Sequence, residues 1–103
     1  MSGKLNVIVT GASGFIGKQV TKGLLAENFR VFAITRQPSQ PYELSGLVWT
    51  SWERYKEVIS SEYDVFAVLN LATTYGHGNE SRPEIFKCNV TQPLELFSYA
   101  MLL

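Results

Sequence analysis

A chain of 103 residues, 46% hydrophobic and 17% charged, has room for one domain or part of one, with a modest core. Nine basic residues against nine acidic ones give no net charge that would draw a nucleic acid or an anionic membrane, and no apolar run suits a bilayer span or a signal peptide, so a cytoplasmic protein is expected. A single cysteine, Cys88, excludes an intramolecular disulfide, and with a single histidine, His77, there are too few soft ligands for a zinc site.

Residues 5–10, LNVIVT, form an apolar and β-branched run stopped by Gly11, which reads as a strand buried on both faces. From about Gly14 to Asn28 the residues Phe15, Ile16, Val20, Leu24 and Leu25 recur at helical spacing, with Asn28 as the stop. Residues 30–35 and 46–50 are two further strands, the first followed by Pro38 and Pro41. Thr50 and Glu53 are spaced for a capping box that would start a short helix with Trp52, Tyr55, Val58 and Ile59 on one face. The most apolar run, residues 63–72, bears the signature of a central parallel strand.

A polar loop follows, and Ser81 with Glu84 makes a second possible capping box. The helix it opens carries an apolar stripe of Ile85, Phe86, Val90, Leu94, Phe97 and Met101. Pro93 falls inside this helix, where its missing N–H leaves the carbonyl of Asn89 without its usual partner and predicts a kink. Strands alternating with helices predict an α/β fold, a doubly wound parallel sheet with first-half strand order 3-2-1-4.

Gly11, Gly14 and Gly17 end a buried strand and open a helix. That is the context of a dinucleotide fingerprint, although the spacing is GxxGxxG, one residue longer than usual between the first two glycines. Gly11 would permit the turn, Gly14 the approach of a diphosphate to the backbone, and Gly17 the packing of helix on strand. N–H groups around Ser13, Gly14, Phe15 and Ile16 would then face the anion, aided by the helix dipole. A mononucleotide P-loop is excluded by Ala12 at its first glycine and by Gln19 after Lys18. About twenty residues past Gly17, where a free ribose 2′-hydroxyl would want a carboxylate, stand Thr35 and Arg36. An arginine there suits a 2′-phosphate, which favours NADP over NAD.

These residues resemble a family. TGASGFIG at residues 10–17, LNLAT at 69–73 and NVTQP at 89–93 are similar to the N-terminal half of the extended short-chain dehydrogenase/reductases, the NAD(P)-dependent sugar epimerases, dehydratases and reductases. The resemblance covers essentially the whole chain and implies a partial Rossmann dinucleotide-binding domain over 1–103, without the C-terminal catalytic and substrate part. It also implies that Leu71, Ala72 and Thr73 line the ribose and nicotinamide side of the cofactor and that Asn89 supports the active site. The sequence departs from the family in two places: Gln92 and Pro93 replace the glycine and threonine of NVxGT, and Ser51 or Trp52 stands where an aspartate commonly contacts adenine. The family's catalytic tyrosine and lysine, four residues apart, are expected beyond Leu103, since no tyrosine here has a lysine four residues on.

The function expected is the NAD(P)-binding portion of an enzyme acting on a nucleotide-sugar or similar carbonyl substrate. The alternative is a non-catalytic dinucleotide-binding or sensor module completed by self-association. His77 reads as a solvated loop residue and Cys88 as an ordinary packing or surface thiol. The apolar C-terminal helix, half of whose cover is missing, is expected to promote self-association.

Overall fold

The computed structural model describes residues 5–36, 42–60, 63–72 and 81–103. The chain runs through β1 (Asn6–Thr10), α1 (Phe15–Ala26), β2 (Arg30–Thr35), β3 (Leu47–Ser51), α2 (Tyr55–Val58), β4 (Val65–Asn70) and α3 (Arg82–Phe86). A π-helical segment, Lys87–Thr91, then leads into α4 (Gln92–Met101). The strands form one parallel sheet in the order β3-β2-β1-β4, as the alternation of elements predicts.

β1 is wholly buried, with Ile8 opposite Phe32 and Val68, and Val9 opposite Ala33 and Leu69. Because side chains alternate along a strand, the same strands feed two cores. Ile8, Phe32 and Ile34 meet Tyr55, Ile59 and Leu96 on one face. Val7, Val9, Val31 and Ala33 meet Ala12 on the other, where Leu24 and Leu25 of α1 pack. Burying each of the larger side chains contributes about 1.5–3 kcal/mol, so the two central strands carry the fold.

α1 ends at Ala26, and the expected stop, Asn28, follows just beyond its cap in the left-handed conformation (φ 69°). Its N–H bonds to Leu25 O and that of Phe29 to Leu24 O, which satisfies the last carbonyls. The helix does not bury Phe15 and Ile16, however; they are 80% and 63% exposed, and Gly17 and Thr21 are buried instead. The close approach of Gly17 to the turn sets the helix phase and rolls the first two residues outward.

The Thr50–Glu53 capping box does not form. Thr50 belongs to β3, paired with Ile34, and α2 begins only at Tyr55 with no side-chain cap. Strand pairing takes the residue that local spacing assigned to a cap. The face of Tyr55, Val58 and Ile59 is nevertheless the one that packs on the sheet.

β4 is a strand as expected; it takes the end position that the order 3-2-1-4 assigns to it, and it is half-buried. Its register slips between Asn6 and Val7, so that Phe66 is passed over, points outward and rests on Phe29 at 5.7 Å.

The Ser81–Glu84 capping box forms in full. Pro93 produces a change of helical register ahead of it: Gln92 N–H bonds to Lys87 O, five residues back. Pro93 thus enters at the start of α4, where no N–H is required of it. The wider turn also changes the helix phase. Cys88, Pro93 and Leu96 face inward, while Phe86, Leu94 and Met101 of the apolar stripe face out.

Candidate functional site

The β1–α1 turn assigns its three glycines different tasks. Gly11 is left-handed (φ 75°), and a Cβ there would come within 2.7 Å of Ala72 N and of the Leu71 carbonyl carbon. A Cβ on Gly17 would overlap the carbonyl oxygen of Gly11. Gly14 is different: its nearest neighbour is Gly11 O at 3.6 Å, an ordinary contact, so nothing in the chain obstructs the approach over it. Turn, open approach and helix contact are therefore separate properties of three positions.

Gly14 is also the N-cap of α1 and provides no side-chain cap for the first turn. Its own N–H donates to Gly11 O at 3.2 Å and closes the turn, so it is not among the donors turned outward, contrary to the sequence expectation. Phe15 and Ile16 present main-chain N–H groups in that uncapped first turn.

The end of β4 is fastened to this turn by Thr10. Its hydroxyl donates to Asn70 Oδ1 at 2.6 Å and accepts from Ala72 N–H at 3.1 Å, while Leu71 N–H donates to Thr10 O at 3.2 Å. Outside the turn, Tyr42 donates its hydroxyl to Ala12 O at 2.9 Å and accepts at its own carbonyl from Trp49 Nε1 at 2.7 Å. The Lys18 ammonium lies 5.2 Å from the Tyr42 ring centre.

A cavity of about 250 Å³ opens at the carboxyl edge of the sheet. Of the residues singled out in the sequence it brings together Gly11, Ser13, Gly14, Arg36, Leu71 and Ala72. Its lining is completed by Thr35 and Trp52, which the sequence places at the ribose 2′ and adenine positions, and by Ile34 and Cys88, to which the sequence assigns no part in the site. Trp52 is the residue just past a parallel strand's carboxyl end, whereas Cys88 is turned inward by the π-helical segment, which its local sequence pattern does not reveal. A second cavity of about 230 Å³ shares Arg36, Trp52 and Cys88 with the first and is completed by Glu53, Glu84, Lys87 and Gln92. Asn89 lies elsewhere, in a depression with Ile85 and Phe86. Gly17 supports the turn from behind, and Thr73 and His77 lie outside the described residues.

Glu84, in the wall of the second cavity, has a displaced acidity. Hydrogen bonds from the Ser81 N–H and hydroxyl hold its carboxyl below the usual range, and the charge of Arg36 acts in the same direction. Among the described residues no cluster of His, Cys, Asp and Glu could hold a metal ion, and no helix is long and apolar enough to cross a membrane.

Residues 7–102 match the NAD dependent epimerase/dehydratase family. CDP-abequose synthase of Salmonella typhimurium is 37% identical over an alignment of 100 residues that covers 92% of this chain and 33% of that protein. Among solved structures, a short-chain dehydrogenase/reductase superfamily protein of Agrobacterium tumefaciens with bound NAD superposes with a TM-score of 0.68 at 25% identity, over 92% of this chain and 28% of that one. The epimerase Mth375 of Methanothermobacter thermautotrophicus shares the fold, with a TM-score of 0.76 at 21% identity over 97% of this chain and 32% of its own. The chain spans about a third of the length of the curated relatives it matches. It belongs to the NAD dependent epimerase/dehydratase family.

Proposed function

We propose that this member of the NAD dependent epimerase/dehydratase family is the NAD(P)-binding portion of an epimerase, dehydratase or reductase acting on a nucleotide-sugar or similar carbonyl substrate. The observation that carries the reading is the open approach over Gly14, set between two glycines that admit no Cβ and facing a cavity that runs to Arg36. The relatives support it. One is named for a nucleotide-linked sugar and another holds NAD, and a match along residues 7–102 to a family of enzymes favours this reading over a non-catalytic sensor.

The residues fit a dinucleotide. A diphosphate would rest over Gly14 against the uncapped first turn of α1, with Ser13, Phe15 and Ile16 supplying main-chain donors and the helix dipole adding attraction. Gly11 and Gly17 keep the turn in that shape. Leu71, Ala72 and Thr73 would border the ribose and nicotinamide side, the first two placed by Thr10. Asn89 would support the active site from the helix. Arg36, exposed at the end of β2, would pair with a ribose 2′-phosphate, which makes NADP the preferred cofactor. When bound, the nicotinamide supplies or accepts a hydride; the chain's part is to bind and orient it. The exposed C-terminal helix supports a further expectation, that two copies of the chain associate.

Calorimetric titration of the chain with NADPH and NADH, repeated on Arg36→Ala, tests the reading. The expected result is tighter binding of NADPH by about tenfold or more, the worth of a charge-assisted contact, reduced to the NADH level in the variant. A folded sample that gives no heat with either nucleotide overturns it.

A further inference from the structure

We propose that Glu84 is a specificity-determining residue of this site, its carboxylate opposing the 2′-phosphate that Arg36 attracts. The inference rests on the reading above. The cavity that begins at the glycine turn ends at Arg36, and the second cavity begins there, with Arg36 and Glu84 both in its wall. Four charged side chains line that second cavity: Arg36 and Lys87 against Glu53 and Glu84. The charges balance, so a phosphate arriving at Arg36 enters a space already containing two carboxylates. A phosphate monoester carries between one and two negative charges at neutral pH, and each carboxylate repels it.

Glu84 is the carboxylate with a fixed position. Its Oε1 accepts from the Ser81 N–H at 3.1 Å and from the Ser81 hydroxyl at 3.0 Å, while Ser81 Oγ accepts from the Glu84 N–H at 3.3 Å. The same bonds, together with Arg36, favour its ionised form, so it stays charged throughout the neutral range. The capping box thus has a second consequence: it parks a negative charge beside the arginine that selects the cofactor. Glu84 moderates the preference for NADP, and the choice between the two nucleotides depends on both members of the pair.

Glu84→Gln separates the two consequences, because glutamine preserves the capping box and removes the charge. Titrations of the parent chain, Glu84→Gln and Arg36→Ala with NADPH and NADH, in low and high salt, form the test. Expected for Glu84→Gln is an unchanged urea midpoint, NADPH binding tighter by about three- to tenfold at low salt, and NADH binding within about twofold of the parent. The gain shrinks at about 0.5 M salt, as it must for screened charges. A cap that acted only on helix stability would move both nucleotides alike. If Arg36→Ala removes the NADPH preference while Glu84→Gln leaves the NADPH to NADH ratio unchanged, the role of Glu84 is refuted and that of Arg36 stands. An NADPH preference that Arg36→Ala does not touch, or no binding by the parent, removes the Arg36 reading and this inference with it.

Discussion

The glycine turn and the C-terminal helices are both rich in positions that a sequence reader would single out, yet they are held in opposite ways. In the turn, each glycine answers to a main-chain atom only a few residues away or at the end of β4. In the helices, the apolar residues of the stripe answer to little within the described chain: Phe86 and Leu94 are each 60% exposed, and Met101 is 85% exposed. Backbone geometry determines the first region, whereas surface chemistry awaiting cover determines the second. Substitutions in the turn should therefore cost folding or binding, and substitutions in the stripe should cost neither.

The sharpest test is within the turn itself. Gly17→Ala forces the helix away from the Gly11 carbonyl and is expected to cost about 3 kcal/mol, the upper range for an overpacked site. Gly11→Ala meets both the left-handed backbone and the Leu71–Ala72 peptide, and should cost about 2–3 kcal/mol. Gly14→Ala should leave stability within about 0.5 kcal/mol, since nothing stands closer than ordinary contact, but weaken dinucleotide binding about tenfold or more. Urea midpoints and titration calorimetry on the same three variants measure the contrast. Equal losses of stability at all three positions would mean that the three glycines answer one and the same steric need.

Thr10→Val extends the comparison to the strand that borders the turn. It deletes the hydroxyl that joins Asn70 and the Ala72 N–H, and a loss of about 1–3 kcal/mol is expected. Amide exchange at Leu71 and Ala72 should quicken more than exchange in β3, which does not pair with β1.

A smaller effect of opposite sign is expected at Tyr55, where the sheet meets the C-terminal helix. Its hydroxyl is buried with no hydrogen-bond partner among the described residues, while its ring packs edge-on to Trp52 and Tyr99. Tyr55→Phe should match the parent or exceed it by up to about 1 kcal/mol at neutral pH. Burial raises the pKa of this phenol above the ordinary tyrosine value, and Glu95 and Tyr99 raise it further, so the folded state prefers the neutral form. That contribution is complete below the ordinary tyrosine value of about 10 and is lost as pH rises through the higher folded value. Phenylalanine should accordingly flatten the alkaline limb of the stability curve, measured by thermal melts between about pH 9 and 11.

The same contrast explains what could be read in advance. Strand order, the bounds of β2, the Asn28 stop and the Ser81–Glu84 cap follow from patterns that are local or that every parallel sheet obeys. The misreadings lie where a distant partner overrules a local preference. Thr50 is claimed by Ile34, and Phe15 and Ile16 are turned out by the contact at Gly17. Pro93 was legible as a disturbance, but its form was not. A kink and a π turn both answer the missing donor, and the inward packing of Cys88 and Leu96 accompanies the second. In the cavity, the residues predicted are those set by main-chain shape or strand ends. Cys88 and Glu84 arrive from a helix whose docking no local pattern encodes.

The stripe supplies the weakest effect on folding and the clearest on behaviour in solution. Phe86→Ser with Leu94→Ser removes two exposed apolar side chains that contribute to neither core cluster. The pair should move the unfolding midpoint by no more than about 0.5 kcal/mol, as surface changes do. Their rings and methyl groups are nevertheless the kind of surface that water drives together, and each fully covered residue is worth about 1.5–3 kcal/mol. Sedimentation velocity over a range of concentrations should therefore show association in the parent that the double variant loses, with circular dichroism unchanged. A parent that stays monomeric at high concentration would mean that exposure along α4 is too dispersed to drive pairing. An unfolded double variant would mean that the stripe holds the helix together after all, and that the two regions differ less than their geometry implies.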